Sequence, residues 1–175
     1  PAPQDNELPN VSAFELTEAR ALFEAEAAAL AAAQIDEETL AELDRYVEIM
    51  ATTGPHDEAG ELADRDFHRT VANASGNAAI THVIETMWKL RTEVEPVKAI
   101  YESVCSEDFG ARADEHSAIL DALRAHDPAA ARVAMRQHFT RLLEAMLDVT
   151  EERALQEIRK QATESRQRYL KSATI

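Results

Sequence analysis

Four side chains in this sequence, Asp64, His68, His116 and His138, combine the chemistry of a metal shell with a spacing that brings them to one point. Asp64 and His68 lie four apart in ELADRDFHRTVANAS, a stretch of helical periodicity, so they leave one face a single turn apart. His116 and His138 meet by a longer route. Between them stands Asp127-Pro128, a helix N-cap followed by the residue favoured at the first helical position, so one helix ends near His126 and another starts at Pro128. Each histidine is ten residues from that reversal, or about 15 Å along its helix. In an antiparallel pair the two are level neighbours. Three imidazoles and a carboxylate suit zinc, with nickel or manganese as alternatives. The plainer alternative is a surface hydrogen bond between Asp64 and His68, with the other histidines scattered by chance. A di-iron bundle is excluded, because it needs Glu-x-x-His pairs and no histidine here has a glutamate three residues before it. His56, His82 and His126 fall at loop, helix-face and helix-end positions without a carboxylate partner and are expected to be structural or exposed.

These ligands require long helices to hold them. The 175 residues contain only four glycines and six prolines, and runs such as EARALFEAEAAALAAAQ favour helix over sheet. An all-α fold is expected, an antiparallel bundle of six to seven helices forming one domain over residues 12–175. Ser12 and Glu15 form a capping box, with Val11 and Leu16 as its hydrophobic staple, so the first helix runs over 13–34. Asp36 caps a second over 37–52, stopped by Gly54-Pro55. A third, over 57–75, ends at Gly76, and a fourth, over 78–94, is broken or kinked by Pro96. The segment 97–110 is left open. A fifth helix covers 111–126, and the last runs from Pro128 past 165.

Composition narrows the function. The net charge of −15 repels nucleic-acid phosphates and anionic membranes, so this chain is not expected to bind DNA unaided. Residues 151–175 carry six basic and four acidic side chains, against a strongly acidic remainder, and read as a solvated helical tail. Cys105 is the single cysteine, which excludes an internal disulfide and fits a reducing, cytoplasmic location. No apolar run reaches membrane-spanning length. Residues 1–11, opening with three prolines in PAPQDNELPN, read as a linker from an upstream domain.

The chain resembles the C-terminal effector-binding (FCD) domain of GntR-type transcription regulators of the FadR subfamily, from Phe14 to about Leu147. The carriers are the Arg20-x-x-x-Glu24 pattern, the DRDFHRTVANASGN block ending at Asn77, and DEHSAILDALRAHDPAAARVAMRQHF. The resemblance implies a divalent metal on Asp64, His68, His116 and His138, the same set that the helix count brings together. It also implies a homodimer, and operator DNA contacted only through an N-terminal winged helix-turn-helix absent from these residues. NVSAFELTEARALFEAEAAALAA and MWKLR are similar to the hexuronate-responsive members of the family.

The expected function is therefore that of a sensor, in which the metal and an arginine hold the carboxylate of a small organic or sugar acid. Arg20 and Arg91 are the candidate clamps, Trp88 a candidate apolar face for a sugar ring, and Asn77 a further candidate contact. The alternative is a metal-dependent hydrolytic enzyme in which the Asp/His3 set activates water. No Gly-rich phosphate loop, G-x-S-x-G or H-E-x-x-H accompanies it.

Overall fold

The structure, a computed structural model, describes residues 10–54, 56–107 and 109–172, without the side chains of 105–111 and 172. The expected linker lies largely outside these residues, as do Pro55 and the Cys105 side chain. Among the described residues seven helices follow one another: α1 (Ala13–Ala32), α2 (Glu37–Thr52), α3 (Glu58–Ala74), α4 (Ala78–Glu93), α5 (Glu95–Glu107), α6 (Phe109–Arg124) and α7 (Pro128–Ser172). No strand occurs among the described residues, and no described helix is long and apolar enough to cross a membrane.

Helix α1 is the axis of the bundle. It packs most extensively on α7 and also meets α3, α4, α5 and α6. Its composition explains this position, because Ala25, Ala27, Ala28, Ala29, Ala31 and Ala32 are all buried, and a methyl side chain lets neighbouring backbones approach on several sides at no rotamer cost. Ser12 caps it through the expected box: its hydroxyl accepts from the Glu15 amide at 3.2 Å, and its own amide donates to Glu15 Oε2 at 2.9 Å. Asp36, Asp57 and Asn77 cap α2, α3 and α4 in the same way, and Asp127 caps α7 by accepting from Ala129 and Ala130.

Two turns deliver the ligand-bearing helices. Gly76 ends α3 with φ of 71°, the left-handed conformation that glycine reaches without strain. A Cβ there would also stand 2.6 Å from Gln34 Nε2. Between α6 and α7 the left-handed position is taken by His126, with φ of 50°. Its amide reaches Leu123 O at 2.9 Å and the Asp127 amide reaches Ala122 O at 3.1 Å, a Schellman closure, while His126 Nδ1 donates to Ala32 O at 2.9 Å. The side chain compensates for a backbone that histidine otherwise avoids. The break expected at Pro96 is present, but the proline stands on its far side. Helix α4 has already ended at Glu93, and Pro96 lies in the first turn of α5, where its fixed φ and missing N–H cost nothing. The open segment 97–110 is thus helical over most of its length, and α6 starts earlier than expected.

Candidate metal centre

Helix α3 contributes Asp64 and His68 from its buried face, α6 contributes His116 and α7 contributes His138, and all four are buried. The ligand atoms of the three histidines lie within 4.8 Å of one another. His116 Nε2 is 3.2 Å from His68 Nε2 and 3.1 Å from Asp64 Oδ1, and His68 Nε2 is 3.5 Å from that oxygen. Donor atoms about 2.1 Å from one tetrahedral ion would stand roughly 3.4 Å apart, so these distances are compatible with a shared ion.

The outer nitrogens decide which atoms face inward. His116 Nδ1 donates to the Arg112 carbonyl at 2.7 Å, His138 Nδ1 to Glu115 Oε2 at 2.7 Å, and His68 Nδ1 lies against Glu24 Oε2. Each Nδ1 thus faces an acceptor outside the cluster, which leaves the Nε2 lone pairs for the inside. Orientation of this kind, by a carboxylate or carbonyl behind each imidazole, is what fixes metal-ligating histidines. With the rings neutral in this tautomer, three nitrogens and a carboxylate converge on one point, a donor set that could hold a divalent cation.

Charge follows the same logic. Burial opposes ionisation of Asp64, but the Arg91 guanidinium and the His116 and His68 rings outweigh it and hold the carboxyl well below its ordinary range. Burial pushes His116 down, and burial with the charges of His116 and His68 pushes His138 down further, so both favour the neutral form a metal needs. Burial also opposes the charge on His68, but the Glu24 carboxylate outweighs it and the ring is raised.

A cavity of about 40 Å³ adjoins the cluster, lined among others by Asp64, His68, His138, Arg20, Arg91 and Arg141. Arg20 is 1% exposed; its Nε donates to Glu24 Oε1 at 2.7 Å, while its Nη2 is buried without a hydrogen-bond partner. Arg91 donates from Nη1 to Asp64 Oδ2 at 3.0 Å. Both guanidinium groups lie over Trp88, at 4.4 Å and 4.3 Å from its ring centroid.

Two expected effector contacts are therefore placed elsewhere. Trp88 does not line this cavity but backs it, its ring occupied by Arg20 and Arg91. The Asn77 side chain is spent on capping α4, accepting from the Ala79 and Ile80 amides, and borders a separate surface depression. Conversely, Glu24, marked by the sequence only as the i+4 partner of Arg20, also backs His68, and Glu115, Arg112 and Arg141 support the site without having been singled out by spacing. Arg141 pairs with Glu115 through Nε and through Nη2, the latter at 2.9 Å from Oε2. The available signals were local: Arg112 is one turn before His116, and Arg141 is three residues after His138. His56 and His82 are exposed, as expected.

Residues 15–141 match the family described as the FCD domain. The Exu regulon transcriptional regulator of Escherichia coli is 34% identical over 144 residues, covering 78% of this chain and 52% of that protein. The Uxu operon regulator of Haemophilus influenzae is 26% identical over 136 residues, covering 77% and 51%. The chain spans about half the length of these curated relatives. Among solved structures, E. coli McbR/YncC superposes with a TM-score of 0.65 at 20% identity, over 78% of this chain and 64% of that one, a likeness of fold.

Proposed function

The chain belongs to the FCD domain family, and from that premise we propose that it is the effector-sensing domain of a GntR-type transcription regulator, built to take a small carboxylate beside a divalent metal. Zinc is the first choice of ion, nickel or manganese the alternatives, and Asp64, His68, His116 and His138 are its ligands. When bound, the ion supplies a Lewis-acidic position for one carboxylate oxygen. The observation that carries the effector reading is Arg20, which lines the cavity and has one guanidinium nitrogen, Nη2, buried and unpartnered. An orphaned guanidinium N–H costs free energy unless an acceptor arrives, and a carboxylate is the acceptor that matches it. Glu24 keeps Arg20 fixed through its other edge, so the group is oriented before the ligand binds.

A hexuronate is the first candidate effector, on the likeness of α1 and MWKLR to hexuronate regulators and on relatives named for the Exu and Uxu genes. The domain is regulatory, since those relatives are named as regulators, and the hydrolase alternative gains no support from them. Operator binding is assigned to a separate N-terminal domain, and a homodimer to suit a two-fold operator.

The purified chain is expected to hold about one divalent ion, lost in the His116→Ala His138→Ala variant; less than a tenth of an equivalent after reconstitution, by elemental analysis, refutes the site. Chelation is expected to lower Tm by several degrees, because the ligands tie three helices together. In calorimetric titration of the zinc-loaded chain, uronates and aldonates should bind and neutral hexoses should not. Arg20→Lys keeps the charge beside Glu24 but loses the fork, so affinity should fall about ten-fold or more. Equal binding by that variant would remove Arg20 from the site.

A further inference from the structure

The inner cavity is too small for a six-carbon acid. At about 40 Å³ it admits an ion and a carboxylate head. One wall of it, however, is shared. Arg91 and Tyr101 line both this cavity and an outer cleft of about 250 Å³ between α3, α4 and α5. Tyr101 is fixed, its hydroxyl 2.6 Å from Thr17 Oγ1. Arg91 is held only by side-chain contacts, on Asp64 and over the rings of Trp88 and Tyr101 at 4.3 Å and 4.7 Å. A guanidinium stacked on two rings can slide across them without disturbing any backbone.

We propose that this outer cleft is the second half of the ligand site, taking the uncharged, hydroxyl-bearing part of a monocarboxylic acid whose head passes Arg91 into the inner cavity. The assignment rests on the carboxylate reading of the inner cavity given above. Two observations specify the chemistry of the outer half. Trp88 lines the cleft, is 7% exposed, and has its indole N–H buried with no acceptor among the described residues. It can donate to a hydroxyl or ring oxygen. The cations of the cleft are already engaged, Arg65 with Asp66, Lys98 with Glu102 and Arg91 with Asp64, while Glu58 and Glu61 add negative charge. Carboxylates of this kind accept from sugar hydroxyls and repel a second carboxylate. The site therefore selects a polyhydroxy monoacid against a diacid of equal length.

The test is calorimetric titration of the zinc-loaded 175-residue chain with acetate, glucuronate and glucarate. Glucuronate should bind at least about ten-fold more tightly than acetate, and glucarate about ten-fold less tightly than glucuronate. Glu61, exposed and not among the proposed metal ligands, provides the variant. Glu61→Lys should bring glucarate close to glucuronate and leave acetate unchanged. Acetate binding as well as glucuronate, glucarate binding the wild-type chain as well as glucuronate, or Glu61→Lys altering nothing would each overturn the assignment while leaving the inner carboxylate site standing. If none of the three acids binds, the carboxylate reading fails and the outer half falls with it.

Discussion

Behind each imidazole stands a different partner, and the differences set what each substitution should do. Glu115 is partly exposed and shared between His138 Nδ1 and Arg141. Glu115→Gln should weaken metal binding about 10- to 100-fold, measured by competition with a chelator dye, because the ring behind it loses its charged anchor. The melting temperature of the metal-free chain should hardly change. Glu24 is the opposite case. It is 1% exposed and supports both His68 and Arg20, and burial opposes its charge, yet Arg20 and His68 outweigh that and hold it below its ordinary range. Glu24→Ala leaves the Arg20 guanidinium buried without its counter-ion and should cost about 3–5 kcal/mol in denaturant unfolding. A loss below about 1 kcal/mol would mean that water reaches Arg20 and that its burial has been misread.

At the scale of the helix, the start of α1 offers a pH test. Hydrogen bonds from the Ser12 hydroxyl and amide lower the Glu15 carboxyl. A carboxylate with a lowered folded value stabilises above its unfolded pKa, and the contribution is lost as pH falls through the folded value. Ser12→Ala should therefore lower stability at pH 7, and the difference from wild type should shrink as pH falls and Glu15 protonates in both. A gap constant with pH would assign the cap to Ser12 alone. Gly60 on α3 gives a second test. A Cβ there would stand 2.4 Å from Thr53 Oγ1 and 2.8 Å from Arg112 Nη2. Gly60→Ala should thus displace the Thr53 side chain and the tip of Arg112 and lower Tm in thermal unfolding. Helix boundaries were legible where a short polar residue precedes an apolar run, as at Ser12, Asp36 and Asp127. Pro96 marked a break but not its side, because a proline signals either the end of one helix or the first turn of the next, and the choice depends on where Val94 leaves α4. The clustering of Asp64, His68, His116 and His138 was legible because i, i+4 spacing and an equal count across a turn both convert to distance. Glu24, Arg112 and Arg141 act across helices or through a backbone carbonyl, and neither relation is written in spacing.

For the whole molecule, α7 divides the structure into a packed bundle and a projecting arm. Its buried side chains end at Val149, and residues 151–171 are all exposed, including Leu155, Ile158, Tyr169 and Leu170. At about 1.5 Å per residue the arm extends roughly 30 Å. With no core contact, it should contribute little to the bundle. Removing residues 152–175 should leave Tm within about two degrees and metal content unchanged. A large loss of Tm would show that the arm is covered in solution. The ordering of stability follows from the same division: the arm should exchange its amides fastest, and α1, enclosed by five other helices, slowest.

The single tryptophan of the chain lies between the two arginines that bracket the candidate site. All indole emission from this molecule therefore originates at one place, with two guanidinium groups over the ring and the His68 imidazole 5.8 Å away. Any rearrangement of Arg91 or Arg20 changes the electric field on that chromophore directly. The native chain thus carries its own optical gauge of occupancy, and stopped-flow mixing with metal or acid can follow each step in time without a label.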